Sequence, residues 1–208
     1  MLNIVKEIFP KFPTIFFYIF LRNILSDCKT ILDLGCGGNS PLRFLQTKTY
    51  GIDASISAIK AARKNKTHNL LKVMEVKQAI RYFKPKSFEA VVALDLIEHL
   101  NKEDGYNLLS DMEKLAIKKS IIFTPNGFIA QSGNSTFDLH RSGWTSEEFK
   151  KLGYKVYGMY GPKSMRSEYH QIRFKPEFIF ALISDIIQWT YTLNHPTKAA
   201  ALLTVKNL

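Results

Sequence analysis

Apolar positions along this chain fall into short continuous runs, separated by segments whose apolar residues recur at helical spacing. The runs Thr30–Leu34, Thr49–Asp53, Leu70–Glu75, Phe88–Leu94 and Ser120–Thr124 predict strands. Between them, Pro41–Gln46, Ile56–Lys64, Gln78–Phe83 and Lys102–Ala116 predict helices. Near-continuous apolar strands alternating with helices imply a parallel sheet covered on both faces. After Thr124 the pattern changes. Pro125 to Trp144 is polar and Gly-rich, too long for an ordinary connection, and such a stretch reads as a functional loop. Thr145-Ser146-Glu147-Glu148 then spells a capping box, opening a helix that ends before Gly153. Lys155–Tyr160 and Ala199–Lys206 read as closing strands, with an apolar helix near Phe178–Leu193 between them.

The apolar segment Thr14–Leu21 is bracketed by Pro10, Pro13 and Arg22. A bilayer span needs about twenty residues, so no transmembrane segment is expected, and no signal-peptide pattern is legible. A leading helix buried on the sheet is one reading; an aromatic lid or a lipid-touching surface is the other. At 208 residues and 46% hydrophobic content the chain can bury one sizeable core. No repeat or linker divides it, so one domain over 1–208 is expected. Two cysteines, Cys28 and Cys36, suit a reducing compartment, and the expected location is cytoplasmic.

The strongest chemical signal is Asp33-Leu34-Gly35-Cys36-Gly37-Gly38, answered by Asp53 at the tip of the second strand. Glycines let backbone turn sharply against a ligand, and an acid so placed can accept hydrogen bonds from both ribose hydroxyls. A dinucleotide site wants G-x-G-x-x-G, with the pyrophosphate on a helix N-terminus. Here Gly37 is followed two residues on by Asn39, and Ser40 stands where the last glycine would fall. Asp33 would repel a pyrophosphate but suits a cationic ligand. S-adenosylmethionine, with a sulfonium and an ammonium and no phosphate, fits.

The stretch resembles motif I of the class I S-adenosylmethionine-dependent methyltransferases, with Asn39 in place of the third glycine. Ser87–Leu100, ending Leu94-Asp95-Leu96-Ile97-Glu98-His99-Leu100, is similar to the fourth-strand segment of the small-molecule members. Ile121–Gly127 resembles their fifth strand, and His140-Arg141-Ser142-Gly143-Trp144-Thr145 with Phe149, Gly153 and Tyr154 resembles the segment that follows. The resemblance implies a Rossmann-like, doubly wound α/β sheet of seven strands, mostly parallel with the last antiparallel. It implies a helical cap over 1–27, an active-site loop over 125–144 and a substrate-side insertion with a helix over 161–195. It also implies S-adenosyl-L-methionine as cofactor and S-adenosyl-L-homocysteine as product. Asp33, Gly35, Cys36 and Gly37 then face the methionine end, Asp53 and Ala54 the ribose, and Glu75 or Gln78 the adenine. Leu94 and Asp95 lie beside the transferable methyl by direct in-line displacement. Asp95 either orients or deprotonates the acceptor, or caps a helix. His140, on the long loop, is the general-base candidate. Adjacent residues on a helix do not face each other, so Glu98-His99 is not read as a metal pair, and no metal site is expected. Nor does Asn/Asp-Pro-Pro-Tyr follow the fourth strand, which argues against exocyclic-amino nucleic acid methylases.

Charge widens the range of partners. The net is +11, and Lys60 to Lys86 holds nine Lys/Arg against one acid, Glu75. This is either a solvated face or a surface for an anionic acceptor, a membrane surface or RNA. Aromatics interleaved with these cations are only Tyr82 and Phe83, few for an RNA platform. The cationic stretch Gly161–Lys175, with Tyr169 and His170, and apolar helices at both ends favour a small-molecule or amphiphilic acceptor, with peripheral membrane contact as a further partner. An RNA methyltransferase and a catalytically silent S-adenosylmethionine-binding protein are the alternatives. The residues name neither the acceptor nor the oligomeric state.

Overall fold

A computed structural model describes residues 12–130, 139–167 and 171–208. The start of the leading cap, part of the long loop, and Tyr169 and His170 of the insertion therefore lie outside the described residues. The strands are Thr30–Leu34 (β1), Lys48–Asp53 (β2), Leu70–Val73 (β3), Phe88–Leu94 (β4), Ala116–Pro125 (β5), Lys155–Pro162 (β6) and Ala199–Asn207 (β7). They form one sheet in the order β3-β2-β1-β4-β5-β7-β6. The first five pair in parallel. Only β7 runs against its neighbours, β5 and β6. This is the doubly wound α/β sheet expected from the alternating pattern.

Helices Phe12–Ile24 (α1), Ile56–Lys64 (α2), Val76–Tyr82 (α3), Lys102–Leu115 (α4), Ser146–Lys151 (α5) and Glu177–Ile187 (α6) accompany the sheet. Local chemistry sets their ends. Asn101 caps α4 by accepting from the Asp104 N–H, with Glu103 and Asp104 in the first turn and Lys114 in the last. The Thr145–Glu148 capping box of α5 is present in both directions.

Three elements differ from the sequence expectation. Pro41–Gln46 forms only a 3-10 turn, Pro41–Phe44, because the chain enters β2 at Lys48 and leaves no room for a longer helix. Strand β5 starts at Ala116 rather than Ser120, since Ala116 is already extended as α4 ends. Leu96–Leu100 does not open a helix; it holds a single 3-10 turn, Ile97–His99, and the α-helix waits for Asn101.

Side chains alternate across the sheet with the period of two that a strand imposes. Leu32, Leu34, Val91, Ala93, Ile122 and Leu202 join one cluster with Leu108, Leu109, Met112 and Phe149. Ile31, Val92, Ile121, Phe123 and Leu203 join the other with Phe17, Leu21 and Leu25. Thus one face of α1 packs on the sheet through Phe17, Leu21 and Leu25, while Ile19 and Arg22 stay exposed. Both faces being covered explains why β4 reads as a continuous apolar run. Edge strand β3, by contrast, is largely exposed.

Trp144 anchors the first cluster and is fully buried. Its ring stacks on Phe149 at 5.4 Å, carries the Lys102 ammonium at 3.8 Å, and lies against Gly105 of α4. A Cβ at Gly105 would overlap Trp144 Cζ2. Gly105→Ala should therefore destabilise the fold by about 1–3 kcal/mol despite alanine's better helix propensity. Denaturant unfolding checks this, and an unchanged midpoint would show the ring free to move aside.

Candidate functional site

In an open parallel sheet, ligands bind beyond the carboxyl ends of the strands. The glycine loop leaves β1 there. Gly35 and Gly37 both take positive φ, 65° and 57°, a conformation that costs glycine nothing. Asp53, at the end of β2, holds this loop in place. Its Oδ2 accepts from the Gly37 N–H at 2.9 Å and its Oδ1 from the Ser55 N–H at 2.8 Å. The Cys36 N–H donates to the Ile52 carbonyl at 2.9 Å. Each carboxylate oxygen of Asp53 has a further lone pair to offer, and Ala54 beside it is exposed. No heavy atom lies within 4 Å of where a Cβ on Gly37 would sit, so the loop backbone there borders open space.

Asp33 lies deeper than expected. It is 1% exposed, so its carboxylate sits beneath the loop rather than opening onto the cleft. Its Oδ2 accepts from Ser40 Oγ at 2.6 Å and meets His68 Nε2 at 3.1 Å, while Nδ1 of that ring meets Thr67 Oγ1 at 2.9 Å. Oδ1 is buried without a partner. His68 carried no signal in the sequence; the β2–β3 register brings this residue, two before β3, against Asp33 of β1. Cys36 is buried, and burial followed by the Asp33 and Asp53 charges pushes its thiol up, so it stays protonated and serves the loop as a small side chain.

Of the adenine candidates, Glu75 is the exposed N-cap of α3 without a side-chain cap bond, and Gln78 is exposed one turn on. Both follow Met74, whose N–H donates to the Asp53 carbonyl at 2.9 Å.

At the end of β4, Leu94 is half-buried and Asp95 takes a positive φ of 53°, an uncommon conformation for a non-glycine residue. Asp95 caps no helix: the turn Ile97–His99 has Leu96 at its N-cap without a side-chain bond, and α4 is capped by Asn101. It is open to solvent yet crowded by protein, and desolvation raises its carboxyl above the ordinary range. Glu98 is buried and accepts from Thr124 Oγ1 at 3.0 Å; desolvation, then the Asp95 charge, raises its carboxyl as well. Tyr160 of β6 reaches the same region. Burial, then the Asp95 charge, raises its phenol, and its ring packs on Phe17 and Phe123.

The long loop returns His140 to this end of the sheet. The N–H groups of Arg141 and Ser142 both donate to the Glu98 carbonyl, and the Gly127 N–H donates to the Trp144 carbonyl. His140 Nδ1 meets the Ile129 carbonyl at 2.8 Å, and His99 Nδ1 the Leu139 carbonyl at 3.3 Å. The ligand atoms of Glu98, His99 and His140 lie within 4.8 Å of one another. Reading Glu98 and His99 as adjacent helical positions kept them apart; a single 3-10 turn and the returning loop bring them together. One carboxylate and two imidazoles is a donor set able to hold a divalent cation, and the same groups are placed to move a proton.

Beside this loop, Ile129, Lys163, Ser164, Arg166 and Arg173 line a cavity of about 390 Å³ with three cationic side chains.

A glycine loop clamped by an acid at the second strand lies inside a sheet reversed only at β7, the arrangement of the class I methyltransferase fold. The comparisons agree: residues 32–124 match the family described as a methyltransferase domain. The solved structures it resembles give the chain the class I S-adenosylmethionine-dependent methyltransferase fold. A SAM-dependent methyltransferase from Archaeoglobus fulgidus is similar at TM-score 0.60 and 16% identity, over 92% of this chain and 94% of that one. The methyltransferase domain of bacterial CtHen1 is similar at TM-score 0.54 and 19% identity, over 92% and 97%. The plantazolicin methyltransferase BamL, solved with a triazolic desmethylPZN analogue and SAH, is similar at TM-score 0.55 and 17% identity, over 94% and 84%. No curated protein matches the sequence at a significant level.

Replacing His68 by Ala leaves the buried Asp33 carboxylate with Ser40 as its remaining partner. The fold should lose about 1–3 kcal/mol, the cost of an unmet buried polar group. Chemical denaturation at neutral pH measures it; no loss would mean the His68–Asp33 contact is idle.

Proposed function

We propose that the chain transfers a methyl group from S-adenosyl-L-methionine to a small or amphiphilic acceptor, releasing S-adenosyl-L-homocysteine. The observation that carries this reading is the clamp of Asp53 on the Gly37 and Ser55 amides, next to open space at Gly37. That pairing presents carboxylate lone pairs to a ribose and bare backbone to the group beyond it. The element after the loop is one 3-10 turn, not a helix whose N-terminal dipole would hold a pyrophosphate. Asp33 Oδ1, buried beneath the loop and unmatched, fits a cationic group reached through a bridging water.

When bound, the cofactor supplies an already activated sulfonium methyl. Gly35, Cys36 and Gly37 shape the methionine end and Asp33 sets its charge. Asp53 and Ala54 border the ribose, and Glu75 with Gln78 borders the adenine. Leu94 and Asp95 line the position of the methyl, where alignment and exclusion of water supply much of the rate. His140, with Glu98 and His99 behind it, accepts the proton of the acceptor. The cavity of Lys163, Arg166 and Arg173 receives an anionic part of that acceptor. At the opposite edge of the sheet, Lys72 covers the ring of exposed Tyr82 at 3.4 Å and Lys77 pairs with Asp104, so part of the basic Lys60–Lys86 run is internally engaged. This disfavours the RNA alternative.

Calorimetry on the apo chain should show S-adenosylmethionine and its demethylated product binding at one site, and no binding would refute the proposal. Asp53→Ala should weaken that binding by about 2–3 kcal/mol, as two hydrogen bonds to a charged group are lost. His140→Ala should keep cofactor affinity and lower kcat about 10²–10⁴-fold in a methyl-transfer assay across a metabolite library. An unchanged kcat would remove His140 from the chemistry.

A further inference from the structure

Helix α6 is built inside out. A surface helix normally buries its apolar stripe and shows polar residues to water. Here the buried positions are Ser184, Asp185, Gln188 and Thr192. They sit on the backbone of β6, where Gly158 and Gly161 leave no room for a side chain: a Cβ would overlap the Thr192 carbonyl oxygen at Gly158 and Ser184 Oγ at Gly161. Gln188 Oε1 accepts from the Gly161 N–H at 3.2 Å, and Ser184 Oγ donates to the Tyr160 carbonyl at 3.3 Å. Arg166, itself buried, donates to Ser184 Oγ at 3.1 Å. The polar face of α6 thus serves the irregular end of β6. The apolar face, with Ile179, Leu182, Ile183, Ile186, Trp189 and Tyr191, points outward, each side chain at least 39% exposed.

We propose that this face seats on an anionic membrane surface. Helix α6 and the π turn that continues it, Gln188–Thr192, span 11 and 5 residues. That is short of the roughly twenty a bilayer span requires, and among the described residues no helix is long and apolar enough to cross a membrane. An apolar face of this length lies in the plane of the interface. Trp189 and Tyr191, at the C-terminal end, are the ring types that settle at headgroup level. Exposed Ile19 of α1 adds to the patch, since Phe16 of that helix meets Trp189 edge-on at 5.6 Å. Charge selects the partner. Exposed Arg173 and Lys175 precede α6, exposed Lys198 follows the π turn, and Arg22 ends α1. The acids on these stretches are Glu177 and the buried Asp185. An anionic bilayer satisfies this fringe, whereas a second copy would bring two chains of net charge +11 together.

Vesicle binding needs neither cofactor nor acceptor, so the proposal is tested apart from methyl transfer. The full chain is sedimented with vesicles of phosphatidylcholine alone and of equal parts phosphatidylcholine and phosphatidylglycerol. The chain should pellet with the anionic vesicles, and Leu182→Glu/Ile186→Glu should lower the bound fraction at least tenfold with an unchanged unfolding midpoint. Lys60→Glu/Lys64→Glu, on the far edge of the sheet, should retain most of it. Three results overturn the proposal. One is no binding to anionic vesicles. Another is loss of binding in the lysine variant with retention in the apolar-face variant. The third is a concentration-dependent dimer, abolished by the apolar-face variant, in a chain that ignores lipid.

Discussion

The carboxylate of Asp53 ties the ends of β1 and β2 together through two backbone amides, Gly37 on one side and Ser55 on the other. With two residues at positive φ the glycine loop has wide conformational freedom, which the Cys36–Ile52 backbone bond and the Asp53–Gly37 bond restrict. The same bond orients the lone pairs that a ribose would meet. Beneath it, Asp33 holds a second set of elements: Ser40 from the following turn and His68 from the approach to β3. A buried carboxylate must be matched or it costs several kcal/mol. Matching Asp33 draws residues distant in the chain into one network under the loop.

On the other side of the site the organising group is Trp144. Packed between Gly105, Phe149 and Lys102, it fixes the return of the long loop, while the Glu98 carbonyl holds Arg141 and Ser142. These two anchors deliver His140 to the ends of β4 and β5. An apolar ring against a glycine thus determines where a histidine meets Glu98, whose carboxyl feels the charge of Asp95. Their crowded carboxyls and the left-handed backbone of Asp95 mark the place where the fold tolerates cost, a common property of functional sites.

Helix α6 shows the opposite economy. Its polar residues answer the unmet backbone of a strand end, and its apolar residues are left to water. The helix is thereby coupled to β6, the strand that also carries Tyr160 towards Asp95.

Strand positions, most helix positions and the glycine loop were legible in the chain itself, because apolar periodicity and turn chemistry are local properties, whereas the order β3-β2-β1-β4-β5-β7-β6 is a tertiary relation. The capping box at Thr145 and the Asp33–Gly37 run with Asp53 needed no neighbours to be recognised. Tertiary structure decided the rest. Asp33 proved to be a buried anchor because the approach to β3 supplies His68 across the sheet, a relation no spacing encodes. Glu98, His99 and His140 converge because a loop fastened by Trp144 returns to a single 3-10 turn. The run Phe178–Leu193 reads as an apolar helix by composition alone. Which of its faces turns inward depends on Gly161 and Gly158 of β6, respectively 23 residues from Ser184 and 34 from Thr192, and on the polar groups that strand leaves unmatched.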